Sequence, residues 1–124
     1  MPGEMPDDGV VVWYNPRCSK CRGAEDLLAA HGVPARKVFY LDDPPPRDEI
    51  LRVLGLLKAP DPRALMRTSE PLFHELGLAD ASADELVDAM AQHPELIERP
   101  VVIRADRAVV ARPPELLLSL LDPP

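Results

Sequence analysis

The chain has 124 residues, 46% of them hydrophobic, which is one domain's worth of sequence with enough apolar material for a buried core. Its 21 acidic residues against 14 basic ones leave a net charge of −7, which argues against a general nucleic-acid or membrane-surface binder. Two cysteines do not make a secreted disulfide framework, and no run approaches the roughly 18 apolar residues of a membrane span.

The acidic start, residues 1–9, reads as a frayed tail. It has neither the basic nor the apolar segment of a secretory signal, so the cytoplasm is the expected compartment. Val10 to Tyr14 is a short uncharged apolar run before Asn15-Pro16, the pattern of a strand buried on both faces. A helix is expected from about Ser19, with Ala24, Leu27, Leu28 and His31 on one face and Gly32 with Pro34 as its stop signal. Lys37 to Leu41 reads as a second strand, which completes a βαβ unit with a right-handed crossover.

Asp42-Asp43-Pro44-Pro45-Pro46 breaks that pattern and launches a helix with Ile50, Leu54 and Leu57 as its stripe. The middle, Lys58 to Pro100, offers no strand. It reads as short helices at about 62–66, 71–76 and 83–92, the last opened by a Ser82/Glu85 capping box. Val101–Ile103 and Ala108–Ala111 then flank a turn at 104–107, and Pro113-Pro114 starts a last helix through Leu121, ended by Asp122-Pro123-Pro124. The order βαβ, helical insert, β-hairpin, α is that of an α/β, thioredoxin-like fold. It makes residues 10–124 one domain with an α-helical insertion at about 46–98. In such a fold the Arg99-Pro100 bond, just before the third strand, is expected to be cis.

Cys18 falls where the first strand hands over to the first helix. Unpartnered backbone N–H groups and the helix dipole there favour thiolate over thiol, and thiolate is the nucleophile. The same N–H groups can receive an oxyanion. Cys21, one turn on, has its Cβ roughly 5–6 Å away, near enough to close a disulfide with local movement and so to serve as a resolving thiol. Of the 14 basic residues 11 are arginines, whose planar fork suits tetrahedral oxyanions. His31, His74 and His93 are scattered, so no metal site is expected, and His93 reads as structural.

The segment Tyr14-Asn15-Pro16-Arg17-Cys18-Ser19-Lys20-Cys21-Arg22 resembles the active-site loop of the arsenate reductase (ArsC)/Spx family, of the glutaredoxin-coupled type. The resemblance continues through Tyr40-Leu41-Asp42-Asp43-Pro44-Pro45, Arg63 to Arg67, Glu70-Pro71 and Glu75 to Leu78. It runs on through Gln92-His93-Pro94, Ile97 to Val102 and Ala111 to Glu115, so it covers about residues 10–121.

It implies an enzyme that reduces arsenate to arsenite through a covalent thiol–arsenate adduct on Cys18. Arg67, Arg99 and Arg112 match the family's oxyanion-binding arginines, and Asn15 its loop asparagine. No bound cofactor is implied. The external reductant would be glutathione with glutaredoxin, or thioredoxin acting on a Cys18–Cys21 disulfide, and the chain would work as a monomer. Two departures stand out. Tyr14 occupies the position where the reductases often carry His, and Cys21 adds a second loop cysteine. The paired cysteines are similar to those of Spx-type redox-sensing regulators that bind RNA polymerase, which is the alternative reading. A general thiol-disulfide oxidoreductase is another.

Overall fold

Four consecutive β-branched or aromatic residues, Val10–Trp13, form β1. In this structure, a computed structural model that describes residues 9–121, β1 is an inner strand of a four-stranded sheet. Its valines Val10 and Val12 are almost fully buried. The expectations for the N-terminal tail and for the helix-ending Asp122-Pro123-Pro124 fall on residues 1–8 and 122–124, outside the described residues.

Contacts within the chain divide it into two compact units, residues 40–98 and the remainder on either side of them. The first unit holds the sheet. After β1 comes α1 (Ser19–Ala30), whose Cys21, Ala24 and Leu28 form the buried stripe at helical spacing. His31 does not belong to it. That residue is exposed, and its ring Nδ1 meets the Leu27 carbonyl at 3.0 Å, because the helix has already ended. Gly32, at φ +67, supplies the left-handed residue that turns the chain out.

The second strand, β2, is Ala35–Val38 rather than 37–41. It pairs parallel to β1, Val10 with Ala35 and Trp13 with Val38, so the length of β1 decides where the ladder stops. Beyond it Phe39 is 41% exposed and sets its ring edge-on to Tyr14. As an exposed edge strand, β2 carries no apolar signature, so the neighbouring apolar run placed the expected start two residues and the expected end three residues too late. β3 (Val101–Arg104) lies antiparallel to β1, and β4 (Arg107–Val110) antiparallel to β3, for an order β2-β1-β3-β4. The hairpin turn is Ala105-Asp106, with Ala105 at φ +55.

The last helix, Pro114–Leu120, is 3₁₀ throughout. Its buried residues Leu117 and Leu120 stand three apart, which suits three residues per turn. Arg104 and Arg107 both donate to the Leu120 carbonyl and satisfy its C-terminal end. Val10, Val12, Val102, Ala24, Leu28 and Leu117 meet in this unit's core.

The second unit is helical. It comprises α2 (Arg47–Leu56), α3 (Pro71–Glu75) and α4 (Ala83–Gln92), with 3₁₀ turns at Pro62–Leu65, Leu78–Asp80 and Pro94–Leu96. Ile50, Val53 and Leu54 of α2 are buried, as are Leu86, Val87 and Met90 of α4. Arg63 sends its guanidinium to the Leu78, Ala79 and Ala81 carbonyls and so ties two turns together. A single antiparallel bridge joins Met66 to Ile97, a pairing too short to show in the sequence pattern. The capping box is present in both directions, Glu85 N–H to Ser82 Oγ and Ser82 N–H to Glu85 Oε1. Ser82→Ala is expected to cost about 1 kcal/mol of stability, read by chemical denaturation.

Candidate active site

Register decides which residues can meet in the first unit. Trp13 is opposite Val101, and Val101 opposite Val110, so the end of β1, the start of β3 and the end of β4 lie at one end of the sheet. The residues just past those points are the loop 14–18, Arg99 and Arg112. Each arginine precedes a cis-proline, Pro100 and Pro113. The first of these is the cis bond expected from the fold. The second, Arg112-Pro113, has no counterpart among the expectations drawn from the sequence.

The loop is built from its own polar groups. Asn15 accepts the Cys18 N–H on its backbone carbonyl at 2.9 Å and the Arg17 N–H on Oδ1 at 3.0 Å. Arg22 donates to the Pro16 carbonyl at 2.8 Å. Asn15 thus holds the loop's shape, and its side-chain oxygen is committed to that turn. Cys18 emerges as the N-cap of α1 in an extended conformation (φ −95, ψ 120) and is only 7% exposed.

Burial by itself pushes the Cys18 thiol up. The Cys21 backbone N–H and thiol, the Lys20 N–H and the Arg99 guanidinium together outweigh it and hold the pKa below that of an ordinary cysteine. The Cys18 side chain closes no conventional cap hydrogen bond, yet those N–H groups lie close enough to favour its charge. They therefore act together with Arg99 on the charge of the sulfur. Arg112 Nη1 stands 3.9 Å from Cys18 Sγ and donates to the Arg99 carbonyl at 3.1 Å, which links the two arginines.

Cys21 is the opposite kind of thiol. It is fully buried, and its pKa is pushed up to about 12, first by burial and then by the nearby Cys18 sulfur, although the Asn15 N–H on its Sγ (3.5 Å) works the other way. Both cysteines are reduced in this structure. One turn of helix thus carries a thiol poised to ionise and a thiol kept protonated. Alkylation of Cys18 by iodoacetamide is expected to reach half-maximal rate below the pH of an ordinary cysteine. Arg99→Ala, which removes a cation beside the sulfur, should shift that midpoint upward.

Arg67, the third arginine singled out, belongs to the other unit. There it pairs with Glu70 at 3.2 Å, and its N–H donates to the Leu96 carbonyl. His93 ends α4 through its backbone N–H to the Ala89 carbonyl. Among the described residues, no group of three or more His, Cys, Asp or Glu side chains converges as a metal site. No helix among them is long and apolar enough to cross a membrane.

A polar cluster that no sequence motif announces lies next to the loop. Tyr14 is 5% exposed, and its phenol donates to Glu25 Oε1 at 3.0 Å. Lys37 Nζ bonds Glu25 Oε2 at 2.6 Å and lies 5.0 Å from the Tyr14 ring centre. Burial and the Glu25 carboxylate push the Tyr14 pKa up, so the phenol is neutral and spent on Glu25. Glu25 lies one turn beyond Cys21 on α1, the one signal that could have placed it. A cavity of about 190 Å³ borders this cluster, among Val12, Leu28 and Val33, but none of the arginines lines it.

Comparison with known proteins finds relatives along nearly the whole chain. The family model for the ArsC family matches residues 13–120. An arsenate reductase of Neisseria meningitidis is 40% identical over 119 residues, covering 94% of this chain and all of that protein. One from Haemophilus influenzae is 38% identical over 90% of this chain and 98% of its own length. The solved structure of an arsenate reductase from Vibrio cholerae superposes with a TM-score of 0.88 at 41% identity, over 90% of this chain and 97% of that one.

Proposed function

Since the chain belongs to the ArsC family, we propose that it is a thiol-dependent arsenate reductase with Cys18 as its nucleophile. One observation carries this reading. A sulfur biased towards thiolate stands 3.9 Å from the guanidinium of Arg112, which is itself bonded to Arg99. A nucleophile beside one guanidinium fork and within the field of a second cation, Arg99, fits attack on a tetrahedral oxyanion.

In the first step the Cys18 thiolate attacks arsenic, one arsenate oxygen takes up protons and leaves as water, and an S–As(V) bond remains. Arg99 and Arg112 hold the other oxygens and neutralise their charge as the bond forms. A second thiol then attacks the Cys18 sulfur. The S–As bond breaks and its electron pair stays on arsenic. Arsenite departs, and the two sulfurs, now in a disulfide, have supplied the two electrons. The second thiol is either glutathione, with glutaredoxin clearing the mixed disulfide, or Cys21, with thioredoxin. Arg67 is assigned to the oxyanion by its sequence motif alone, and loss of activity in Arg67→Ala would support that assignment.

The test is NADPH oxidation with arsenate, supplied in turn with glutathione plus glutaredoxin and with thioredoxin. Arsenate-dependent turnover with either donor is the expected result. No turnover with both, together with retention of RNA polymerase in a pull-down, would replace the enzyme with a redox regulator. Mass spectrometry after a single turnover separates the routes, since a glutathionylated Cys18 beside a reduced Cys21 excludes the internal disulfide.

A further inference from the structure

Cys18 and Cys21 are three residues apart on the first turn of α1. Both sulfurs face inward, at 7% and 0% residue exposure, in one cluster with Tyr14 and Ala24. Cys18 is the N-cap and Cys21 the third residue of the helix, a spacing that brings the Cβ atoms to roughly 5–6 Å of one another. Neither is held in a disulfide. A disulfide would need only local movement at this spacing, and a single atom bridging the two sulfurs demands less, because it relaxes the direct S–S geometry.

We propose that this reduced pair is a binding site for trivalent arsenic, so that arsenite, the product of the reaction proposed above, is held as a two-sulfur adduct. The inference rests on that reading for the presence of arsenite, and on the paired sulfurs for its capture. Trivalent arsenic is a soft centre that exchanges oxygen for sulfur. Arsenous acid, As(OH)₃, condenses with two thiols to give (Cys18-S)(Cys21-S)As–OH and two waters. Two As–O and two S–H bonds break, two As–S bonds and the O–H bonds of the waters form, and arsenic stays trivalent. No oxidant or reductant is required.

The rest of the site explains why the thiols must do this work. Arsenous acid is uncharged near neutral pH, so the Arg99 and Arg112 guanidinium groups that suit arsenate gain little from it. Cys18, the less buried and more readily ionised thiol, takes arsenic first. Cys21 then adds within the same turn of helix, where its effective concentration is set by the backbone rather than by diffusion. Its high pKa is no obstacle, because condensation consumes the S–H proton into water. The consequence is product inhibition relieved by external thiols, which exchange onto the bound arsenic.

Arsenite itself is the probe, added to the fully reduced chain without arsenate. Arsenic-edge X-ray absorption should count two sulfur neighbours, and Cys21→Ser should weaken arsenite binding by about 100-fold, the scale on which a tethered second contact acts. One sulfur neighbour in the wild-type chain would overturn the proposal. So would equal affinity in a folded Cys21→Ser variant, and the sulfur count in the wild-type chain decides the matter if that variant misfolds. Because binding is read without turnover, a chain that holds arsenite on two sulfurs but reduces no arsenate would keep this site and remove the reductase reading.

Discussion

Replacing Cys18 by serine is expected to abolish arsenate-dependent turnover, a loss on the order of 10⁴-fold or more, the scale seen when a covalent nucleophile is removed. The size follows from two differences between the side chains. A serine hydroxyl at this N-cap stays protonated at any working pH, whereas the surroundings of Cys18 hold its pKa below the ordinary value. A serine ester of arsenate would also have no route to reduction, because only a sulfur can pass into a disulfide and leave its electrons on arsenic. The variant should fold normally, since Cys18 contributes no conventional cap hydrogen bond to α1. Its arsenate affinity should be largely retained, because the arginines remain. Equilibrium binding beside the NADPH assay checks both parts. Turnover surviving in Cys18→Ser would remove the covalent mechanism altogether.

The second large effect is expected at Arg112. Arg112→Ala should lower kcat/KM by roughly 10²–10³-fold, comparable to the removal of one preorganised oxyanion donor. The guanidinium touches the nucleophile at 3.9 Å and the Arg99 carbonyl at 3.1 Å, so its loss both strips a donor from the oxyanion and loosens the neighbouring arginine. Arg112→Lys restores the charge without the planar fork and should recover only part of the activity. A thermal melt of both variants separates this from simple unfolding. A loss below about tenfold in a folded Arg112→Ala chain, under about 1.4 kcal/mol of transition-state stabilisation, would take Arg112 out of the reaction.

The contrast between the two cysteines also bears on the choice of reductant. Cys21 is buried, protonated at neutral pH and one turn from the nucleophile. Such a thiol is a slow attacker until a base or a conformational shift exposes it. External glutathione has no such barrier, but it must reach a sulfur that is itself only 7% exposed. The single-turnover mass measurement decides between them, and the arsenite-binding experiment tests the same pair from the product side.

Much of the scaffold was legible from local signals. β1, α1 with its Gly32 stop, the capping box of α4 and the hairpin after Pro100 are each encoded within a dozen or so residues, by apolar period, cap residues or turn chemistry. Cys18 at a strand-to-helix junction is equally local, and its chemistry followed from that position. Where those signals weaken, the reading slipped. β2 is an exposed edge strand whose limits are set by its partner, His31 lies beyond the helix it seemed to extend, and the last helix tightened to 3₁₀ to bury leucines three apart.

The sequence by itself therefore determined the order of the elements and the placing of two thiols one helical turn apart, because each depends on neighbours in the chain. Only the tertiary structure decided what surrounds the sulfur. Arg112 is 94 positions from Cys18, and strand register rather than any motif brings it within 3.9 Å. The helix N–H groups act on the sulfur, as their position at the start of α1 led one to expect, and the Arg99 guanidinium adds to them from a distant strand end. Tyr14 departs from the resemblance, and its phenol donates to Glu25, whose other oxygen is held by Lys37, residues that meet only because α1 and β2 are folded against β1. The opposite ionisation of Cys18 and Cys21 has the same origin. Burial and nearby charge set it, and both are properties of the folded unit rather than of the Cys-Ser-Lys-Cys segment.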